Sequence, residues 1–101
     1  MPGLNPAEFD EIIHSKIRLM VMSILMTTES AQFTYLREVT QSTDGNLSVH
    51  LKKLEDAGYI AVRKRFEKRK PRTVCAITPK GRKAFERYVD SLEKIIGGQS
   101  L

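Results

Sequence analysis

The sequence is short of several things that define whole classes of protein. It has one cysteine, Cys75, in 101 residues and no tryptophan. A single thiol cannot close an internal disulfide, so a disulfide-stapled secreted domain is excluded and a reducing, cytoplasmic setting is expected. No stretch reaches the roughly 18 uninterrupted apolar residues of a membrane-spanning helix. The best run, Ile17 to Met26, is broken by Arg18 and Ser23. No basic residue precedes Lys16, so the layout of a signal peptide is missing. Catalytic signatures are absent too: there is no phosphate-binding glycine loop, nucleophile elbow or metal-ligand pair. An enzyme is therefore not expected, nor a cofactor. His14, His50 and Cys75 are far apart and not at ligand spacing, so no metal site is expected. Cys75, mid-strand between Val74 and Ala76, reads as an ordinary buried thiol rather than a redox switch.

What is present is a composition 41% apolar and 29% charged, with a net charge of +5. The length suits one domain over residues 1–101, too apolar for wholesale disorder. The charge is concentrated. From Ala61 to Arg72 there are seven basic residues (Arg63, Lys64, Arg65, Lys68, Arg69, Lys70, Arg72) against Glu67, a net of +6. The other 89 residues hold ten Lys/Arg and eleven Asp/Glu, a net of −1. A solvated face would carry such charges scattered; six net charges in twelve residues favour a polyanion as partner. An anionic membrane surface would be expected to add an exposed amphipathic helix with aromatic anchors, and no membrane partner is inferred.

Asn5-Pro6 gives a cap-plus-proline helix start, followed by Glu8, Asp10, Phe9, Ile12 and Ile13. Ser15 offers to cap a second helix through Ile17, Met20, Val21, Ile24 and Leu25, ending near Thr27-Thr28. Leu19 and Met22 make that helix apolar on more than one side, so part of it is expected to meet a partner subunit. Ser30 to Phe33 reads as short and extended. Thr34 then looks like an N-cap, with Leu36 and Val39 turned inward on a brief helix ending near Gln41. After the polar stretch 41–45, Leu47, Leu51 and Leu54 recur at i, i+4 and i+7, one helical face over about 43–57. Gly58 takes the place of a C-terminal cap. His50, about 60° off the leucine stripe, is expected to bond to a neighbouring helix or to backbone; His14 points to nothing by itself.

Beyond Gly58 the period shortens, and Tyr59 to Phe66 and Thr73 to Ile77 read as strands. Glu67 to Arg72 forms a charged tip in which Pro71 argues against a regular central strand. Thr78-Pro79 repeats the helix-start signal. Ala84, Phe85, Tyr88, Val89, Leu92, Ile95 and Ile96 then line a strongly amphipathic helix over about 79–96, ended by Gly97-Gly98.

Two short helices joined by a tight turn and followed by a charged hairpin form the order of a winged helix-turn-helix. The expected fold is mainly α with a small β-hairpin wing over about 59–77. It comprises a three-helix core plus N- and C-terminal dimerisation helices. Opposite the leucine stripe, the second short helix presents Gly45, Ser48, Val49, Lys52, Lys53 and Asp56, small residues that admit base edges and lysines that reach phosphates. Its N-terminal end offers a place for a phosphate. The candidate DNA-binding set is Gly45, Asn46, Ser48, Val49, Lys52, Lys53, Arg63, Arg65, Lys68, Arg69, Lys70 and Arg72. The candidate dimer interface is Phe9, Ile13, Ile17, Met20, Phe85, Tyr88, Val89, Leu92, Ile95 and Ile96.

The run from Gly45 to Ile60, with Ser48-Val49-His50-Leu51 and Ala57-Gly58-Tyr59-Ile60, resembles the recognition-helix signature of ArsR and MarR winged-helix regulators. Lys68 to Thr73 and Ile77 to Arg82 look like the wing and last-helix start of small single-domain members. The resemblance covers about residues 12–96. It implies a homodimeric regulator of transcription that binds double-stranded DNA, with its terminal helices at the dimer interface. It places Ser48, Val49, Lys52 and Lys53 toward the groove and Arg69, Lys70 and Arg72 on the wing. Metal-sensing ArsR members carry paired cysteines on the helix before the recognition helix; here residues 33–41 have none. A small-molecule effector is possible but unidentified, and a repressor role is the expectation. The alternative is a winged-helix module that uses its basic surface to bind an acidic protein.

Overall fold

The computed structural model describes Pro6 and residues 9–100, the last three by backbone alone. The elements run α1 (Lys16–Leu25), β1 (Ala31–Gln32), α2 (Phe33–Thr40), α3 (Asp44–Asp56), β2 (Ile60–Glu67), β3 (Lys70–Ile77) and α4 (Pro79–Ser100). The strands form one antiparallel sheet in the order β1-β3-β2. This is the winged helix-turn-helix order, mainly helical with a small sheet. Its core gathers Ile13, Val21, Met22, Leu25, Leu36, Leu47, Leu51, Leu54, Ile60, Cys75 and Tyr88. Among the described residues no helix is long and apolar enough to cross a membrane.

Local chemistry sets most boundaries. Ser15 caps α1, its hydroxyl accepting from the Arg18 N–H, and the Thr43 hydroxyl accepts from the Asn46 N–H at the start of α3. At the other end of α3, Gly58 takes φ 80°. The Gly58 N–H bonds the Glu55 carbonyl and the Tyr59 N–H the Leu54 carbonyl, the paired bonds of a Schellman end. Thr78 begins α4, accepting from the Gly81 N–H at 3.0 Å and donating to the Gly58 carbonyl at 2.6 Å. Gly81 is held to glycine by a close approach: a Cβ there would stand 2.1 Å from the Tyr59 carbonyl oxygen.

Five sequence expectations need correction. The helix expected from Asn5-Pro6 does not form over residues 9–15; Asn5 and Glu8 lie outside the described residues. Pro6 and Phe9 close a single turn. Asp10 then closes another, its carboxylate accepting from the N–H groups of Ile12 (2.8 Å) and Ile13 (3.3 Å) and from the Tyr59 hydroxyl. A carboxylate bonding backbone two and three residues on competes with helix. Second, α2 starts at Phe33 behind Gln32 with no side-chain cap, so Thr34 lies inside it. Third, Val39 is 38% exposed while Leu36 and Thr40 are buried, because the core-facing pair of this short helix is i, i+4. Fourth, the tip expected over Glu67 to Arg72 shrinks to Lys68 and Arg69, and Pro71 sits within β3, opposite Phe66. Strand β1 covers β3 only at Val74 and Cys75, so Pro71 lies where β3 is an edge and its missing N–H leaves no bond unmade. Fifth, α4 continues through Gly97 to Ser100; glycine permits a helix end and does not compel one.

Candidate nucleic-acid interface

The site is built from α2, α3 and the β2–β3 hairpin. Gln41 turns the chain between the two helices in left-handed conformation (φ 55°, ψ 40°). Thr40 is buried there, donating to the Leu36 carbonyl at 2.7 Å and meeting the Ser42 hydroxyl at 2.8 Å. Arg37 of α2 grips Asp44 in the first turn of α3 at 2.7 Å. The turn sets the change of direction between the helices, and this exposed ion pair bridges them across it. Asp44 also puts a carboxylate at the positive end of α3, the place the sequence offered to a phosphate.

With Leu47, Leu51 and Leu54 buried, the other face of α3 is open. Gly45, Asn46, Ser48, Val49, Lys52 and Lys53 are all exposed, Val49 at 55%. A Cβ on Gly45 would meet nothing. The fold therefore does not require glycine there, although glycine costs a helix interior roughly 0.5–1 kcal/mol relative to alanine. Lys52 reaches along the helix to Asp56 at 2.8 Å, an exposed pair that a stronger anion can displace.

His50 is half-buried beside this face. Its Nδ1 meets the Arg18 guanidinium of α1 at 2.8 Å, and Arg18 also donates to the Ile12 carbonyl. Burial, then the charges of Arg18 and Lys53, hold the imidazole below its ordinary pKa. A neutral ring with Nδ1 as acceptor fits that contact, and it ties α3 to α1. The expected bond to a neighbouring helix is thus present. Arg18, 9% exposed, is the partner that sequence reasoning missed; its one signal was a cation inside an apolar run.

The hairpin pairs Ile60 with Ile77 through to Glu67 with Lys70, leaving a two-residue loop of Lys68 and Arg69. Both have positive φ, 50° and 66°, the sign that a tight type I′ connection needs and that Asn-Gly normally supplies. For residues with a Cβ this conformation costs roughly 1–2 kcal/mol each. Arg63, Lys64, Arg65, Lys68, Arg69 and Lys70 are exposed and Arg72 is half-buried. The ion pairs of the described residues are Arg37–Asp44 and Lys52–Asp56, so none of the seven wing cations has one there. Glu67 is held by the Gln32 amide at 3.4 Å.

The expected dimer residues divide. Ile13 is fully buried and Tyr88 only 3% exposed, so both belong to the chain's own core and are corrected as interface candidates. Tyr88 meets the His14 ring at 2.7 Å and packs edge-on to Phe9. Phe9, Ile17, Met20, Phe85, Val89, Leu92 and Ile95 are half-buried, and Ile96 is 67% exposed. Among the described residues no three His, Cys, Asp or Glu side chains gather as metal ligands. Cys75 is fully buried and burial pushes its thiol up to about 11.

Comparison with known proteins agrees with this geometry. The family model described as a winged helix DNA-binding domain matches residues 17–96. An uncharacterised protein of Methanocaldococcus jannaschii is 40% identical over 79 residues, covering 78% of this chain and 86% of the relative. A transcriptional regulator homologue from Pyrococcus horikoshii superposes over the full length of both chains with a TM-score of 0.89 and 33% identity. A MarR-family regulator from Silicibacter pomeroyi shares the fold, with a TM-score of 0.57 and 20% identity over 86% of this chain and 60% of its own.

Proposed function

The chain belongs to the winged helix DNA-binding domain family, as a DNA-binding transcriptional regulator, and on that premise we propose that it acts as a homodimer on a pseudo-palindromic operator, as a repressor. The observation that carries the reading is the wing, where seven cations without an ion-pair partner among the described residues follow the open face of α3. Cations without an ion-pair partner among the described residues match a duplex polyanion. In this reading α3 enters the major groove with Gly45, Asn46, Ser48 and Val49 toward base edges and Lys52 and Lys53 toward phosphates. Arg63, Arg65, Lys68, Arg69, Lys70 and Arg72 hold the flanking backbone. Asp44 makes the tip of α3 a poor phosphate site, so phosphate contacts fall to the side chains.

Dimerisation is supported by α4, a 22-residue helix in a molecule 56 Å long and only 25 by 22 Å across, which carries Leu92, Ile95 and Ile96 along its outer half. Half-sites then lie about 10–10.5 bp apart or a multiple. The protein works in the reducing cytoplasm, and any small-molecule effector acts at the dimer interface or by changing the spacing of the two recognition helices. The test combines mobility shift and light scattering. Lys52→Ala and Lys53→Ala combined with Arg69→Ala and Arg72→Ala should abolish the shift of a duplex that the wild type retards, and the wild type should scatter as a dimer at micromolar concentration. Normal duplex binding by the combined variant, with loss of an acidic protein partner, would assign the surface to protein interaction instead. A stable monomer would refute the dimer.

A further inference from the structure

One wing residue is explained neither by the core nor by charge. Phe66 is 79% exposed, the most exposed large apolar side chain of the described residues. It stands one pair below the two-residue loop, directly opposite Pro71. Strand alternation puts the Phe66–Pro71 pair on the same sheet face as Val62 and the buried Cys75, and the Arg65–Arg72 pair on the other. The end of the wing is thus an apolar pair on one face, with Arg65 and Arg72 behind it and Lys68 and Arg69 beyond it.

The other exposed large apolar residues, Tyr35, Val39, Val49 and Ile96, lie on α2, α3 and α4. Phe66 is therefore not part of a broad apolar patch on the wing, and a protein interface would need a wider apolar centre. The minor groove of duplex DNA offers the complementary chemistry, with apolar sugar walls between rows of phosphates. Protein wedges of phenylalanine or proline enter it between cations. We propose that Phe66, backed by Pro71, is an apolar wedge that the wing sets into the minor groove beside the half-site. Its cationic neighbours hold the phosphates on either side. The inference rests on the DNA-binding reading above and adds to it a residue that selects sequence through groove width and deformability rather than hydrogen bonds.

The probe is a fluorescent duplex selected by the wild-type protein from a random-sequence pool. Phe66→Ala should leave the thermal midpoint unchanged, since the ring packs little in the free protein. It should weaken duplex binding about tenfold or more, in the range of single aromatic contacts to nucleic acid, and leave the salt slope unaltered. Phe66→Trp introduces the chain's sole tryptophan. Its emission should shift when the duplex binds, and return when netropsin, a minor-groove ligand, is added. Duplex binding by Phe66→Ala equal to wild type, or an emission from Phe66→Trp that does not move while the duplex is bound, overturns the wedge and leaves the DNA-binding reading standing. A pool that yields no bound duplex overturns that reading itself, and the wedge with it.

Discussion

The two ends of the β2–β3 hairpin are built under different constraints. At its base Ile60 is 3% exposed, Val74 6% and Cys75 fully buried, and β1 adds a third strand at Val74 and Cys75. At its tip the side chains from Arg63 to Pro71 are exposed, the loop holds two left-handed residues with side chains, and the cations have no ion-pair partner among the described residues. The base follows the rules of a packed sheet. The tip breaks them, with lysine and arginine where asparagine and glycine would be stable. Local choices that work against the fold are expected where a residue serves something outside it. The contrast supports the proposal that the half of the hairpin which stability does not explain is the half that meets DNA.

The sharpest way to break this contrast is to exchange the consequences of substitution between core and tip. Leu54→Ala, at a fully buried position behind the interface, should lower unfolding free energy by about 2–5 kcal/mol in urea denaturation. That is a large part of the ~5–15 kcal/mol of a typical domain. Arg69→Ala or Arg72→Ala should leave that midpoint near wild type. Each should make the log affinity against log salt slope for duplex shallower by roughly 2 per dimer, one phosphate per subunit at about 0.9 each. An arginine variant that unfolds like the leucine variant would erase the distinction.

A smaller effect of opposite sign tests the strained loop. Replacing Lys68-Arg69 by Asn-Gly should stabilise the fold by about 1–2 kcal/mol, raising the thermal midpoint by several degrees, roughly 4–8 °C per kcal/mol at this size. The same change should weaken duplex binding. Stability and affinity should move in opposite directions, the outcome that separates a functional tip from a structural one.

The smallest expected effect concerns His50, on the core side of the interface. Its folded pKa lies below the 6.5 of the unfolded chain. Above about pH 6.5 the ring is neutral in both states and contributes no pH dependence. As pH falls below 6.5 the unfolded chain takes the proton first, so stability declines until the folded pKa is reached, and then levels. Urea midpoints between pH 5 and 8 should show this slope in the wild type, and His50→Gln, which keeps an acceptor for Arg18, should lack it.

Much of this was legible in the sequence because it rests on local rules. The leucines at 47, 51 and 54 gave the buried face of α3 by periodicity. Ser15 and Thr78 gave helix starts by capping, and Gly58 an end by its place just after the leucine period. The cluster 63–72 gave the wing by charge. What was not legible depends on which neighbour arrives. Asp10 reads as a helix-start acid until Tyr59 draws its carboxylate into a turn. Pro71 speaks against a central strand, and only the stopping of β1 short of it shows that an edge strand runs through it. Arg18 breaks an apolar run without revealing that His50 waits across the helix pair, and the exposure of Phe66 appears only once the loop shrinks to two residues.

The central claim, that the cations of the wing exist for a duplex, is tested most directly by the salt dependence of wild-type binding to a selected duplex. If each subunit neutralises about three phosphates, log affinity should fall against log salt with a slope near −5 per dimer. A slope of about −1 or shallower would contradict it.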